Sequence, residues 1–300
     1  WLRGEVATRY FKGHQDNIYC LAWVGPNKVA SGSRDRAICI WDLQTGQCTR
    51  FDSGHTGSVL CMRASRDYSI LLTGSSDATC KIWSLPDCRL LLTFRGHGHG
   101  VLDVCVIQDY IVTSSRDHTI RVWDKTGREL RQLTGHTGSV NALEPLDDRR
   151  VISASGDSTL KVWDITTGQC LRTMKGHTYG LACVRYDGER IYSGGQDSQI
   201  RVWDPETGEC LMTMSGHMNL IRTMDCFDGK LVSGSYDRTL RVWDTKTGAC
   251  LLSFQSGHSS WIFNVLLSRT KIVSAGQDRR IMMLDFAQGI QTAKLFKEIL

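Results

Sequence analysis

Apolar residues along the chain come in short runs of strand length, separated by turns rich in Gly, Asp and Asn. The first set covers residues 18–23, 28–31 and 37–41, and its β-branched and aromatic side chains predict three consecutive strands. Stretches such as 70–72 and 265–267 fall far short of a bilayer span. The same set of runs then returns with fixed punctuation. A Gly-His pair opens each return, at Gly13-His14, Gly54-His55, Gly96-His97, Gly135-His136, Gly176-His177, Gly216-His217 and Gly257-His258, with successive spacings of 41, 42, 39, 41, 40 and 41. One Asp separates the second and third runs each time: Asp35, Asp77, Asp117, Asp157, Asp197, Asp237 and Asp278. The third run ends 26 to 28 residues after the His, in Trp41-Asp42, Trp83-Ser84, Trp123-Asp124, Trp163-Asp164, Trp203-Asp204, Trp243-Asp244 and, degenerately, Leu284-Asp285.

Self-similarity at such a period is the mark of stacked supersecondary units, each unable to bury its apolar face alone. The pattern resembles the WD40 family, over roughly residues 6 to 286. The resemblance implies an all-β, seven-bladed WD40 β-propeller with four strands per blade. Only one strand-like piece, residues 7–11, precedes the first Gly-His, and only three strands follow the last. The N-terminal strand is therefore expected to complete the last blade and so remove the exposed sheet edges of an open stack. Residues 1–286 are expected to form the propeller. Residues 287–300 are expected to be a C-terminal tail outside the repeat, with a short helix from Thr292. In the family the repeat Asp bonds the His of the Gly-His pair, which reaches through a Ser or Thr of the second strand to the Trp.

Composition adds limits. Twenty-nine Gly and only four Pro suit many short strands joined by tight turns, and 36 basic against 31 acidic side chains leave a modest +5. Twelve Cys contain no CxxC pair, and Cys48, Cys170, Cys210 and Cys250 recur at one position in different repeats, too far apart to bridge. They read as small apolar strand residues in a reducing compartment. Of nine His, seven belong to the Gly-His pairs, so only His99 and His118 remain, which is too few for a metal cluster. The repeated Ser, His and Asp imitate a catalytic triad in composition alone, and Gly96-His97-Gly98-His99-Gly100 lacks the ending of a phosphate loop. The expectation is a non-catalytic module without metal or cofactor. The opening Trp1-Leu2-Arg3-Gly4-Glu5 carries no signal-peptide pattern, so a cytoplasmic and/or nuclear chain away from the membrane is expected.

Function in such a ring lies in the loops around its channel. Two positions per repeat are legible by register. The residue before the turn Asp reads Arg34, Ser76, Arg116, Gly156, Gln196, Tyr236 and Gln277. The residue five after each repeat His reads Tyr19, Leu60, Leu102, Asn141, Ala182, Arg222 and Phe263. Neither set contains a carboxylate, and its three Arg suit an anionic ligand.

Segments including Gly54-His55-Thr56-Gly57-Ser58-Val59-Leu60-Cys61, Thr73-Gly74-Ser75-Ser76-Asp77, Val151-Ile152-Ser153-Ala154-Ser155-Gly156-Asp157 and Val232-Ser233-Gly234-Ser235-Tyr236-Asp237 resemble the substrate-binding propeller of the F-box/WD-repeat (β-TrCP-type) ubiquitin-ligase receptors. Trp1-Leu2-Arg3-Gly4 also resembles the junction between F-box linker and propeller in that family. The resemblance implies recognition of a phosphodegron. It implies one phosphoserine pocket from Tyr19, Arg34, Ser58 and Ser76. An acid-reading subsite keeps Arg222 and Tyr236, with Leu220 and Leu102 as walls and Asn141 on the peptide backbone, while Trp261 replaces its second Arg. A second phosphoserine subsite has Tyr179 for an expected Arg and Gln196 for a Ser, leaving Gly180, with Arg116 as a neighbouring cation. The implied partners are a phosphorylated protein substrate and an SCF adaptor, bound through an upstream F-box absent from this chain. Two other readings stay open: a general scaffold propeller without phospho-dependence, and an RNA-binding propeller using Tyr19, Tyr236, Phe263 and Trp261 for stacking. The modest charge makes nucleic acid the weaker of these.

Overall fold

The computed structural model describes residues 6–85 and 87–287, and the expected tail helix and the Trp1-Leu2-Arg3-Gly4 junction lie outside them. Each repeat folds as the run pattern dictates. In blade 1 the apolar runs become antiparallel strands Ile18–Gly25, Lys28–Ser33 and Ala37–Asp42, with Cys48–Asp52 outermost. Seven such four-stranded sheets form among the described residues. The last consists of Ile262–Leu267, Lys271–Gly276 and Arg280–Asp285, completed by Ala7–Lys12, whose register runs from Ala7 opposite Asp285 to Lys12 opposite Arg280. Ring closure is also a packing event. One apolar cluster joins Phe11, Leu266, Val273, Ile281 and Met283 of blade 7 to Ile18, Leu21, Val29 and Trp41 of blade 1.

The Gly-His-Asp-Trp punctuation has a geometric cause. In blade 4, His136 Nδ1 lies 2.7 Å from Asp157 Oδ2, its Nε2 lies 2.7 Å from Ser153 Oγ, and Trp163 Nε1 donates to that same Oγ at 2.8 Å. Indole N–H can only donate and a carboxylate only accept. The neutral imidazole therefore donates to Asp157 and accepts the Ser153 hydroxyl proton, and every member is satisfied. The same chain links His14, Asp35, Ser31 and Trp41, and in blade 2 His55, Asp77, Thr73 and Trp83. In blade 7 it stops at Ser274, because Leu284 stands where the Trp would be. The glycine before the His has a matching reason in several blades: a Cβ on Gly13 would sit 2.7 Å from the Trp41 ring, and one on Gly176 3.0 Å from the Trp203 ring.

These groups couple stability to pH. Burial pushes the imidazoles of His55, His97 and His136 below their ordinary value, against the opposing pull of their Asp partners. Burial alone would raise Asp77 and Asp157, but hydrogen bonds from Thr79 or Thr159 and the facing His hold both down to about 2. The unfolded chain therefore binds more protons than the folded one as pH falls through ~6.5 for His and again between ~4 and ~2 for Asp. The melting temperature should be nearly flat from pH 8 to 7 and fall in both acid windows. A melting series that rose between pH 7 and 5 would contradict this assignment.

The cysteines do more than fill space. Cys20, Cys61 and Cys183 direct their thiols at the backbone carbonyls of Val59, Val101 and Ile221 in the next blade, at 3.8, 3.9 and 3.5 Å. Each is a weak donor placed across a blade boundary. Cys48, Cys170, Cys210 and Cys250 lie exposed on outer strands of separate blades.

Candidate functional site

Two backbone devices build the loop-lined mouth. The first is a bulge at the head of every inner strand. Ile18 pairs with Ser33 and Cys20 with Gly32, which leaves Tyr19 as the extra residue. The same skip isolates Leu60, Leu102, Asn141, Ala182, Arg222 and Phe263. A bulge re-aims the side chain of its extra residue. Six of these seven line a central channel of about 490 Å³. The seventh, Phe263, is buried between Tyr19 and Tyr236, with ring centroids 5.1 and 5.9 Å away.

The second device is a rim. In every blade the residue before the turn Asp donates its N–H to the carbonyl of the residue three after the His: Arg34 to Asn17, Ser76 to Ser58, Arg116 to Gly100, Gly156 to Ser139, Gln196 to Gly180, Tyr236 to Leu220 and Gln277 to Trp261, all at 2.8 to 3.0 Å. The residue three after the His then packs on the turn of the preceding blade. A Cβ on Gly100 would lie 3.1 Å from Ser76 Cα, and one on Gly180 3.1 Å from Gly156 Cα. Trp261 stacks on Tyr236 at 4.5 Å and 3°. Ser58 holds the equivalent place in blade 2, which follows the blade whose turn carries Arg34. The sequence pattern does not mark Asn17 and Ser139, although both occupy this rim; their register signal is a place three residues after a repeat His.

Of the four residues expected around a phosphate, Ser58 and Ser76 are in direct contact. Ser58 N–H donates to Ser76 Oγ at 2.8 Å, which fixes that oxygen and leaves its proton to point outward from an exposed turn. Arg34 is exposed on the neighbouring turn. The carboxylate-free reading of the mouth needs a correction, however. Asp16, two residues after His14, places Oδ2 3.8 Å from Arg34 Nε. Deeper in the channel, Arg63 and Arg185 both reach Glu144, at 3.1 and 3.4 Å, and Arg185 lies 3.6 Å from Asp225. Asp103 joins them in the lining. Burial raises the carboxyls of Asp103 and Asp225. Within this cluster Asp103, Glu144 and Asp225 face Arg63 and Arg185, so those two guanidiniums are already engaged by carboxylates.

Other expected residues fall into two groups. Asn141 Nδ2 donates to Leu181 O at 2.6 Å, which engages one of its two amide N–H groups with blade 5. Arg222 donates to Ala182 O at 3.4 Å. Burial pushes the Tyr236 phenol up, opposed by the nearby Arg222 charge. Leu102 and Leu220 are half-buried. Tyr179 is 62% exposed, and Gly180 leans on Gly156. Arg116 belongs to the blade 3 turn, whereas Tyr179 and Gln196 belong to blade 5. Blade 4, with Gly156 at its turn, stands between them. Among the described residues no group of three or more His, Cys, Asp or Glu is arranged to hold a metal, and no helix is long and apolar enough to cross a membrane.

Comparison with known proteins fits this architecture. The chain belongs to the WD-repeat family: the family model "WD domain, G-beta repeat" matches residues 5–42, 46–84, 88–124, 127–164, 168–204 and 208–244. The segment of blade 7 that lacks the Trp is not matched. Propellers of this family are platforms for protein partners. Protein Notchless of Drosophila melanogaster is 34% identical over 124 residues, covering 39% of this chain and 25% of its own. WD repeat-containing protein pop1 of Schizosaccharomyces pombe is 31% identical over 185 residues, covering 45% and 24% respectively. The matched region therefore spans about a quarter of these relatives. The WD40 β-propeller domain of Doa1 superposes with a TM-score of 0.83 at 24% identity, over 92% of this chain and 95% of that one, which shows the shared fold.

Proposed function

We propose that the rim of this propeller captures a phosphorylated, acidic segment of a protein partner, with the phosphate held between Arg34 and the Ser58–Ser76 pair. The observation that supports this reading is the Ser76 hydroxyl fixed by Ser58 N–H in blade 2, next in the ring to the blade 1 turn that carries the exposed Arg34, on a rim whose turns in blades 4 and 5 present Gly156 and Gln196. No cation stands at Tyr179 or Gln196, and Arg116 lies two blades away in blade 3, which fits a single phosphate. The role of that capture, as the substrate-reading part of an SCF-type ubiquitin-ligase receptor, rests on the blade-sequence resemblance. A nucleic-acid ligand is disfavoured because Tyr236 and Trp261 stack on each other and Phe263 is buried, so few ring faces remain for bases.

A phosphate carries about −1.5 to −2 charges, and a charge-assisted hydrogen bond is worth roughly 1.5–3 kcal/mol when shielded. Arg34 is exposed and already faces Asp16, so the net gain is reduced to roughly a hundredfold in affinity. An oriented peptide library with one fixed phosphoserine among acidic and apolar positions should be captured at that advantage over the same library with serine. Equal capture would leave the propeller as a scaffold without phospho-dependence.

A further inference from the structure

The exposed apolar residues of the rim are not spread around it. Among the described residues, the large apolar side chains left exposed in the loops after the repeat histidines are Tyr179, Met218 and Trp261, at 62%, 88% and 44%. They belong to blades 5, 6 and 7, while blades 1 to 4 carry Asp16, Thr56, Ser58, His99 and Thr137 at the corresponding places. Trp261 turns one ring face onto Tyr236, and the Trp261 carbonyl is tied to Gln277 while Tyr236 N–H is tied to Leu220, so both backbones are pinned. Met218 N–H is held by Asp237 of the same blade. A rigid, half-exposed aromatic surface at a concave mouth is what a recognition anchor looks like, since two-torsion aromatic rings lose little entropy on binding.

We infer that this arc is a second subsite of the same peptide, and that it selects a bulky apolar or aromatic side chain rather than an acidic one. This rests on the phosphopeptide reading above for the identity of the ligand. The occupant follows from the surface itself: Tyr179, Met218 and Trp261 present apolar area with no charge of their own, while Arg222 Nη1 is turned to Ala182 O at 3.4 Å and its charge disfavours a lysine-type guest. Ring contacts of 5.1, 5.9 and 4.5 Å lead from Tyr19 through Phe263 and Tyr236 to Trp261. That path doubles back from blade 6 to blade 7 and so sets an upper limit on the order of 15 Å for the span from Tyr19 to Trp261, which an extended peptide crosses in at most about five residues at ~3.3 Å each. The ligand is thus amphiphilic, with a phosphate over blades 1 and 2 and an apolar anchor over blades 6 and 7, within about five residues of one another. The position at which the resemblance expects a second Arg becomes, in this chain, the apolar reader.

The test uses oriented phosphoserine libraries, randomised at five positions on each side, against the wild-type chain, Trp261→Ala, Trp261→Phe and Arg34→Ala. Wild type should enrich Trp, Phe, Tyr or Leu at one fixed offset. Trp261→Ala should lose that enrichment, with roughly tenfold weaker binding of the selected peptide, and Trp261→Phe should keep most of it. Enrichment of Asp or Glu at that offset, or an apolar preference unchanged in Trp261→Ala, overturns the inference. Apolar enrichment that depends on Trp261 but is indifferent to phosphate or to Arg34 sinks the phosphopeptide reading and leaves this subsite standing.

Discussion

Replacing Arg34 with Ala is expected to weaken capture of a phosphoserine peptide by roughly a hundredfold while changing its unphosphorylated twin less than about threefold. The guanidinium is the cation of the rim corner whose hydroxyls come from Ser58 and Ser76, so its removal leaves those hydroxyls without a charge to pair with the phosphate. Asp16 makes a sharper control. Its carboxylate lies 3.8 Å from Arg34 and competes with the ligand, so Asp16→Asn should tighten phosphopeptide binding a few-fold. Arg241, whose Nη1 lies against Cys250 Sγ on the outer strands at 3.8 Å, should tolerate Ala without loss of binding. Isothermal titration of the four proteins checks all three. Equal losses for Arg34→Ala and Arg241→Ala would mean that the rim is not the site.

The second large effect is on stability. Ser153 shares one oxygen between His136 and Trp163, both buried, so Ser153→Ala orphans two polar groups at once. Each stranded group costs roughly 1–3 kcal/mol, and a total of about 2–4 kcal/mol is expected from denaturant midpoints. Ser274 serves His258 in a blade without the Trp, so Ser274→Ala should cost about half as much. If the two changes cost the same, the Trp link contributes nothing and the repeated network is not what stiffens the blades.

Much of this fold is legible along the chain because each blade repeats one solution. The His of the Gly-His pair, the turn Asp and the Trp mark three of the four members of a single hydrogen-bonded chain, and the apolar runs between them place the three inner strands of blade 1 to within about two residues, though not its outermost strand. Closure through residues 7–12 follows from counting strands. What the period cannot show is contact between repeats. The bulge that throws Tyr19 and Arg222 into the mouth leaves no mark in hydropathy, since it is a matter of pairing register. The Arg63–Glu144 ion pair joins residues 81 apart at positions that differ from blade to blade. Asp16 escaped the two loop positions that register singles out, although it sits on Arg34. Trp261 reads in sequence as the loss of an Arg. Only its stack on Tyr236, from the preceding blade, turns that loss into a surface.

The central claim is that the rim at blades 1 and 2 is where an anionic partner segment docks. A crystal structure of the propeller with a library-selected phosphopeptide tests it most directly. The phosphorus should lie within hydrogen-bonding reach of the Arg34 guanidinium and the Ser58 and Ser76 hydroxyls, with Asp16 turned away. A phosphate seated on the outer strands, on the opposite face or down in the Arg63–Glu144–Arg185 floor would contradict the account.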